Sequence, residues 1–173
     1  MISNYINQLL LELATGNAME HSYRPALKTL FESMDPSIRA VNEPSRSAHG
    51  APDFAFYKST NNSLVLGYVE TKDLNVSLDD VEKTEQLKRY LGYANLILTN
   101  YGEFRFFRNG EKYQTITIAK PNGSVITSFP ESYSQLEHEL KAFLDGQPES
   151  ITNAKKLAQI MGGKALRVRD NVS

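Results

Sequence analysis

The chain has 173 residues, enough for one domain with a substantial core and too few for two generous ones. Its 40% hydrophobic and 23% charged residues fit a soluble globular protein, and 19 Lys+Arg against 20 Asp+Glu leave it near neutrality, so overall charge does not advertise a nucleic-acid partner. With no cysteine, disulfides, zinc–thiolate sites, iron–sulfur clusters and thiol nucleophiles are excluded, and with three histidines any metal must be held mainly by oxygen.

Ile6, Leu9, Leu10 and Leu13 recur at helical spacing and stop at Thr15-Gly16-Asn17, which predicts a first amphipathic helix. A second begins near Ser22, with Pro25 tolerated in its first turn, and runs through Leu27, Leu30, Phe31 and Met34 to Asp35-Pro36. Glu20 lies at the junction of the two. From Ile38 the period becomes two, giving a meander of three strands over 38–41, 53–57 and 64–70, with Asn61-Asn62 punctuating the last pair. Ser77-Leu78-Asp79-Asp80 has a capping-box pattern and opens a single crossover helix through Val81, Leu87 and Leu91. The runs 95–99, 103–107 and 114–118 are strands, so the sheet should hold five or six. Within Tyr101–Arg108 aromatic and basic residues alternate, which inward packing of the aromatics on a strand explains better than base stacking.

Ser134 with Glu137 marks a further helix containing Leu136, Leu140 and Phe143, and Asp145-Gly-Gln-Pro-Glu149 breaks the chain before a last helix from about Ser150. That helix carries Ile151, Leu157 and Met161 with Lys155, Lys156 and Lys164, and nothing evident covers its apolar side. We therefore divide the chain into a domain over 1–146 and a helical connector over 147–173, the alternative being a final helix folded back on the core. No stretch approaches the roughly 20 apolar residues of a membrane helix, and no basic segment followed by an apolar run opens the chain, so a cytoplasmic location is the default expectation.

The chemistry concentrates in Pro52-Asp53 and, one hairpin later, Glu70-Thr71-Lys72. Alternation along a strand puts Glu70 and Lys72 on one face and turns Thr71 away, while the hairpin brings Asp53 alongside. Leu64–Val69 is almost wholly apolar, as for a strand covered on both sides, so charges at its end need a partner or a metal. Alone, Glu70 and Lys72 could be an ordinary ion pair at a strand end. In this context, phosphodiester hydrolysis accounts for them: Asp53 and Glu70 supply carboxylates to Mg2+, with Mn2+ able to substitute, and the backbone carbonyl of Thr71 completes the shell. Lys72 holds or polarises the attacking water and offsets charge growing on the phosphate. A cleft built around acidic ligands must still attract a polyanion, which makes Arg24, Arg46, Lys88 and Arg89 candidate phosphate contacts. His21 and His49 are read as surface or hydrogen-bonded residues rather than catalysts.

Residues 52–72 resemble the PD-(D/E)XK nuclease superfamily. The text around them, including Glu20–Leu27, Gly50–Phe54, Gly67–Asp73, Gln86–Tyr90 and Leu98–Tyr101, is similar to the N-terminal nuclease domain of single-chain restriction-modification enzymes (Type ISP or Type IIG-like). The resemblance implies an α/β restriction-endonuclease-like fold, a central mixed sheet flanked by helices, and double-stranded DNA as substrate, cut to 5′-phosphate and 3′-hydroxyl ends. It also implies covalently linked adenine-N6 methyltransferase and target-recognition regions, and adds Gln86, Glu20 and Tyr90 to the site: Gln86 and Tyr90 lining the cleft towards the lysine or DNA, Glu20 as an acidic residue brought to the metal. Two rival readings stay open: a catalytically silent nuclease-fold module that binds DNA or protein, and a repair nuclease or junction resolvase on the same fold.

Overall fold

The computed structural model describes residues 1–146 except 43 and 45–48. The connector expected over 147–173, and Arg46, lie outside the described residues. Helix α1 (Ile2–Ala14) and helix α2 (Arg24–Met34) flank a 3-10 turn (Glu20–Tyr23), with Pro25 in the first turn of α2, where a missing N–H breaks no bond. Strands β1 (Ile38–Asn42), β2 (Phe54–Lys58) and β3 (Asn61–Thr71) form the expected antiparallel meander. Lys58 pairs with Asn61, so the tight turn is Ser59-Thr60, and Asn61 opens the strand instead of punctuating it.

The crossover is two short helices, α3 (Leu78–Glu82) and α4 (Glu85–Tyr90), where one was expected. Thr84 causes the break. Its backbone is extended, and its hydroxyl accepts the Leu87 N–H at 3.2 Å, the bond of an N-cap residue starting a new helix. Ser77 precedes α3 without a side-chain cap, so the capping box read there does not form. Thr84→Ala is expected to cost about 1 kcal/mol of stability, measured by denaturant unfolding; an unchanged midpoint would show that the hydroxyl does not hold α4.

Strand β4 (Asn95–Thr99) runs parallel to β3, and β5 (Glu103–Arg108) and β6 (Glu111–Thr117) continue antiparallel, giving one six-stranded sheet in the order β1-β2-β3-β4-β5-β6. A separate hairpin of β7 (Ala119–Asn122) and β8 (Val125–Ser128), not anticipated from the sequence, turns through Gly123 at φ +65°. Helix α5 (Tyr133–Leu144) starts one residue before Ser134 and draws no side-chain cap.

Helices cover both faces of the sheet, as a restriction-endonuclease-like fold requires. On one face α1, α2 and α5 bury Leu9, Leu27, Phe31 and Phe143 against Phe56, Ile97 and Phe106. On the other, α3 and α4 bury Leu78, Val81, Leu87 and Tyr90 against Leu96, Leu98 and Phe107. The alternation of Leu96, Ile97 and Leu98 between two cores explains why β4 reads as a continuous apolar run. Gly67 of β3 lets α5 approach, because a Cβ there would come within 2.5 Å of the Phe143 ring. Arg105 of β5 is buried facing α3 and is paired with Asp79 (2.9 Å), Glu103 (2.7 Å) and Glu82. The alternating aromatic–basic run is thus core on one side and an ion-pair tie to α3 on the other. No described helix is long and apolar enough to cross a membrane.

Candidate active site

The parallel pair β3–β4 ends at Thr71 and Thr99, and the side chains singled out by the sequence gather at this carboxyl edge, where parallel strands leave a crevice beside a crossover connection. Asp53 immediately precedes β2 and Glu70 lies near the end of β3, one step beyond the last paired residues Phe54 and Val69. The Asp53 N–H donates to Glu70 Oε1 at 3.2 Å, which fixes the two acidic residues side by side. Lys72 Nζ stands 3.1 Å from Glu70 Oε2 and 3.3 Å from Gln86 Oε1, so α4 contributes to the same cluster.

Thr71, between Glu70 and Lys72, holds the aspartate. Its N–H and its hydroxyl both donate to Asp53 Oδ2, at 2.8 and 2.7 Å, so the residue between the two charged ones buttresses the Asp53 carboxylate. Arg24, expected among the phosphate contacts, is buried: Nη2 lies 2.6 Å from Asp53 Oδ1 and 3.6 Å from Glu20 Oε1. Tyr90, expected to face the cleft or DNA, is buried too, and its hydroxyl donates to the Ala51 carbonyl at 3.2 Å. Tyr93 donates to the Gly50 carbonyl at 2.6 Å. Two tyrosines thereby grip the loop that presents Asp53. Gly50, at φ +106°, tucks against the Tyr90 ring, where a Cβ would sit 2.9 Å from a ring carbon.

Glu20 stands at the start of the 3-10 turn, and its carboxylate feels Asp53: burial first, then the Asp53 charge, raise its pKa above the ordinary value. Its backbone is pinned by Tyr101, whose hydroxyl donates to the Glu20 carbonyl at 2.8 Å. Tyr101 itself adopts φ +74°, a left-handed conformation costly for a side chain with a Cβ. Its N–H bonds to Thr99 Oγ1 at 2.9 Å and its carbonyl accepts from Tyr5 at 2.7 Å, so the turn after β4 is held from three sides. Neither Tyr101 nor Tyr93 is a site residue on the sequence reading. Lys88 and Arg89 lie exposed on α4, outside this cluster, and Lys88 pairs with Glu85 at 3.6 Å. His21 and His49 are exposed, and His49 packs edge-on against Tyr93.

Electrostatics single out Glu70. Burial first, then the neighbouring Asp53 charge, push it from 4.5 up to about 7, against the downward pull of Lys72. Burial first, then the same two carboxylates, raise Tyr90 to about 12. An added positive charge between Asp53 and Glu70 would relieve this repulsion. Among the described residues no group of three Asp, Glu or His side chains is arranged to hold a metal. Two carboxylates, Asp53 and Glu70, could hold a hard cation of the kind that takes one or two carboxylates and fills its shell with a main-chain oxygen, waters and a substrate phosphate. An ammonium 3.1 Å from one of those carboxylates is placed to orient a water or steady a developing anion.

No protein-family model and no curated protein matches the chain. Among solved structures it is similar to a chain of the cryo-electron-microscopy structure of a DrdV–DNA complex, at 21% identity and a TM-score of 0.65, over 85% of this chain and 97% of that one. At that identity the likeness establishes a shared fold.

Proposed function

We propose that this chain is the nuclease domain of a restriction-modification enzyme, a magnesium-dependent endodeoxyribonuclease that hydrolyses phosphodiester bonds of double-stranded DNA to 5′-phosphate and 3′-hydroxyl ends. The carrying observation is the convergence at the carboxyl edge of β3 of Asp53, from the segment before β2, with Glu70 and Lys72, Glu70 lying within hydrogen-bond reach of both the Asp53 N–H and the Lys72 ammonium. The fold shared with a protein solved on DNA supports the choice of substrate.

Asp53 and Glu70 would hold the cation, with the Thr71 carbonyl as a third oxygen, and Mn2+ would substitute. When bound, the cation supplies Lewis-acid stabilisation of the phosphate oxygens. Thr71 fixes the Asp53 carboxylate so that it need not reorganise during the reaction. Lys72, between Glu70 and Gln86, orients the attacking water and faces the negative charge that grows on the phosphate. The water oxygen bonds to phosphorus in line with the bond to O3′, which breaks; the water proton leaves to solvent and O3′ is protonated. Gln86 is a positioning residue, holding the lysine through its carbonyl oxygen. Gln86→Ala is expected to lower the cleavage rate about tenfold with little effect on metal affinity; a rate equal to the unaltered protein would remove Gln86 from the site.

The remaining partners belong to the same proposal. Linked methyltransferase and target-recognition regions would read the sequence, which agrees with a near-neutral domain that supplies chemistry more than affinity. The proposal is tested by the ends produced. Nicks made with Mg2+ should be resealed by DNA ligase without prior treatment, because ligase requires a 5′-phosphate beside a 3′-hydroxyl. Nicks that reseal only after 3′-phosphate removal would rule out the proposed chemistry.

A further inference from the structure

Among the described residues, Arg24 is the charged residue paired with Asp53 to which hydrolysis assigns no task. It sits at the start of α2 with its side chain 7% exposed, 2.6 Å from Asp53 Oδ1 and 3.6 Å from Glu20 Oε1. An ionised carboxylate has about four lone-pair positions, two on each oxygen. At Asp53 those on Oδ2 are met by the Thr71 N–H and hydroxyl. Oδ1 is then the oxygen open to a cation, and it already accepts from Arg24. A guanidinium stays protonated at any working pH, so it cannot make room by losing its charge. A divalent ion arriving at Oδ1 meets a full positive charge at hydrogen-bond distance.

We propose that Arg24 is the resident counter-ion of Asp53, occupying in the metal-free chain the place that a divalent cation takes, and that the two compete for Oδ1. The inference rests on the reading of Asp53 and Glu70 as cation ligands. Without a cation, Glu20, Asp53 and Glu70 crowd one partly buried space, and Arg24 offsets their repulsion beside the first two, as Lys72 does beside the third. The arginine has space beside it, for it lines a cavity of about 280 Å³ with His21, Lys28, Asn42 and Phe54. Arg24 is a positioning residue on this account, keeping the carboxylate in place until the cation and DNA arrive together.

The test is calorimetric titration of the full chain with MnCl2, without DNA, for the unaltered protein, Arg24→Met and Arg24→Lys, with thermal unfolding in parallel. Arg24→Met should bind Mn2+ about tenfold tighter, the scale of one charge-assisted hydrogen bond removed from competition. It should melt lower without metal and gain more from Mn2+ than the unaltered protein does. Arg24→Lys, a cation without the fork, should fall between them. Should Arg24→Met fail to fold without metal, the lysine variant carries the comparison on the same criterion. Affinity unchanged or weakened in the folded variants, with Mn2+ binding by the unaltered protein abolished in Asp53→Asn, overturns this inference alone. No Mn2+ binding by any of the proteins overturns the reading of the site as well.

Discussion

Lys72→Ala is expected to reduce DNA nicking about a thousandfold while leaving Mn2+ affinity nearly intact, and Asp53→Ala to remove both. The split follows from position. Asp53 is an oxygen donor locked in place by Thr71, so its loss takes away a cation ligand and the anchor of the loop before β2. Lys72 is a donor group 3.1 Å from Glu70 Oε2 and no oxygen ligand, so on the proposed mechanism its loss removes the group that faces the water and the phosphate. One coupling has to be controlled. The Lys72 charge lowers the pKa of Glu70, so in Lys72→Ala the glutamate rises further. The comparison is therefore made at about pH 8.5, above the value of about 7 for the unaltered chain, to favour the ionised glutamate in both proteins. Equal loss of metal affinity in the two variants at that pH would mean that the lysine organises the carboxylates instead of serving the reaction.

The second large effect is on stability. Glu70 titrates at about 7 in the folded chain against 4.5 for an ordinary glutamate, and burial is the main cause. A carboxyl raised on folding contributes stability that is fully present below its unfolded pKa and is lost as pH rises through the folded one. Between about pH 4.5 and pH 7 the metal-free protein should thus lose on the order of 3 kcal/mol from this group, at about 1.4 kcal/mol per unit. Glu70→Gln keeps an oxygen to accept the Asp53 N–H and has no charge to bury. Its unfolding free energy should be flatter across that window, and it should be the more stable protein at pH 8. Denaturant unfolding at several pH values decides it, and identical pH slopes in the two proteins would contradict the burial argument. Adding Mg2+ to the unaltered protein should shrink the difference, since a cation favours the ionised carboxylate and releases its proton.

How far the sequence revealed this architecture depended on whether the deciding contact was local. The apolar run ending at Glu70, and its echo in Leu96–Leu98, announce two strands covered on both sides, and the hairpin from Asp53 to Glu70 follows from alternation and a short turn. The crossover helix was legible in its apolar positions, yet its division at Thr84 was not, because one hydroxyl cap looks in sequence like any exposed threonine. Arg24 presented itself as a free cation near the cleft. It is buried against Asp53, 29 positions away, and no periodicity signals a pairing between the first residue of α2 and the residue before β2. Tyr90 and Tyr93 were similarly ambiguous. Helical spacing puts Tyr90 beside Gln86, but whether its hydroxyl meets DNA or the Ala51 carbonyl depends on the loop packed against it. A turn at Tyr101-Gly102 is legible from the glycine, but the left-handed backbone falls on Tyr101, where glycine or asparagine would be the usual occupant. The hairpin β7–β8 went unread for a related reason: it joins no strand of the main sheet, so nothing upstream predicts its pairing.

On the proposed function, DNA is hydrolysed at the Asp53–Glu70–Lys72 cluster. Nicking of supercoiled plasmid tests it most directly, at high protein concentration and low salt, where a domain of near-neutral charge gains what affinity it can. The unaltered chain and an Asp53→Ala, Lys72→Ala double variant, purified identically, are compared with Mg2+, Mn2+ and chelator. We expect open-circular plasmid from the unaltered chain with either cation, none with chelator, and none from the double variant. Nicking that persists in the double variant, or survives the chelator, would contradict the assignment of the chemistry to these residues.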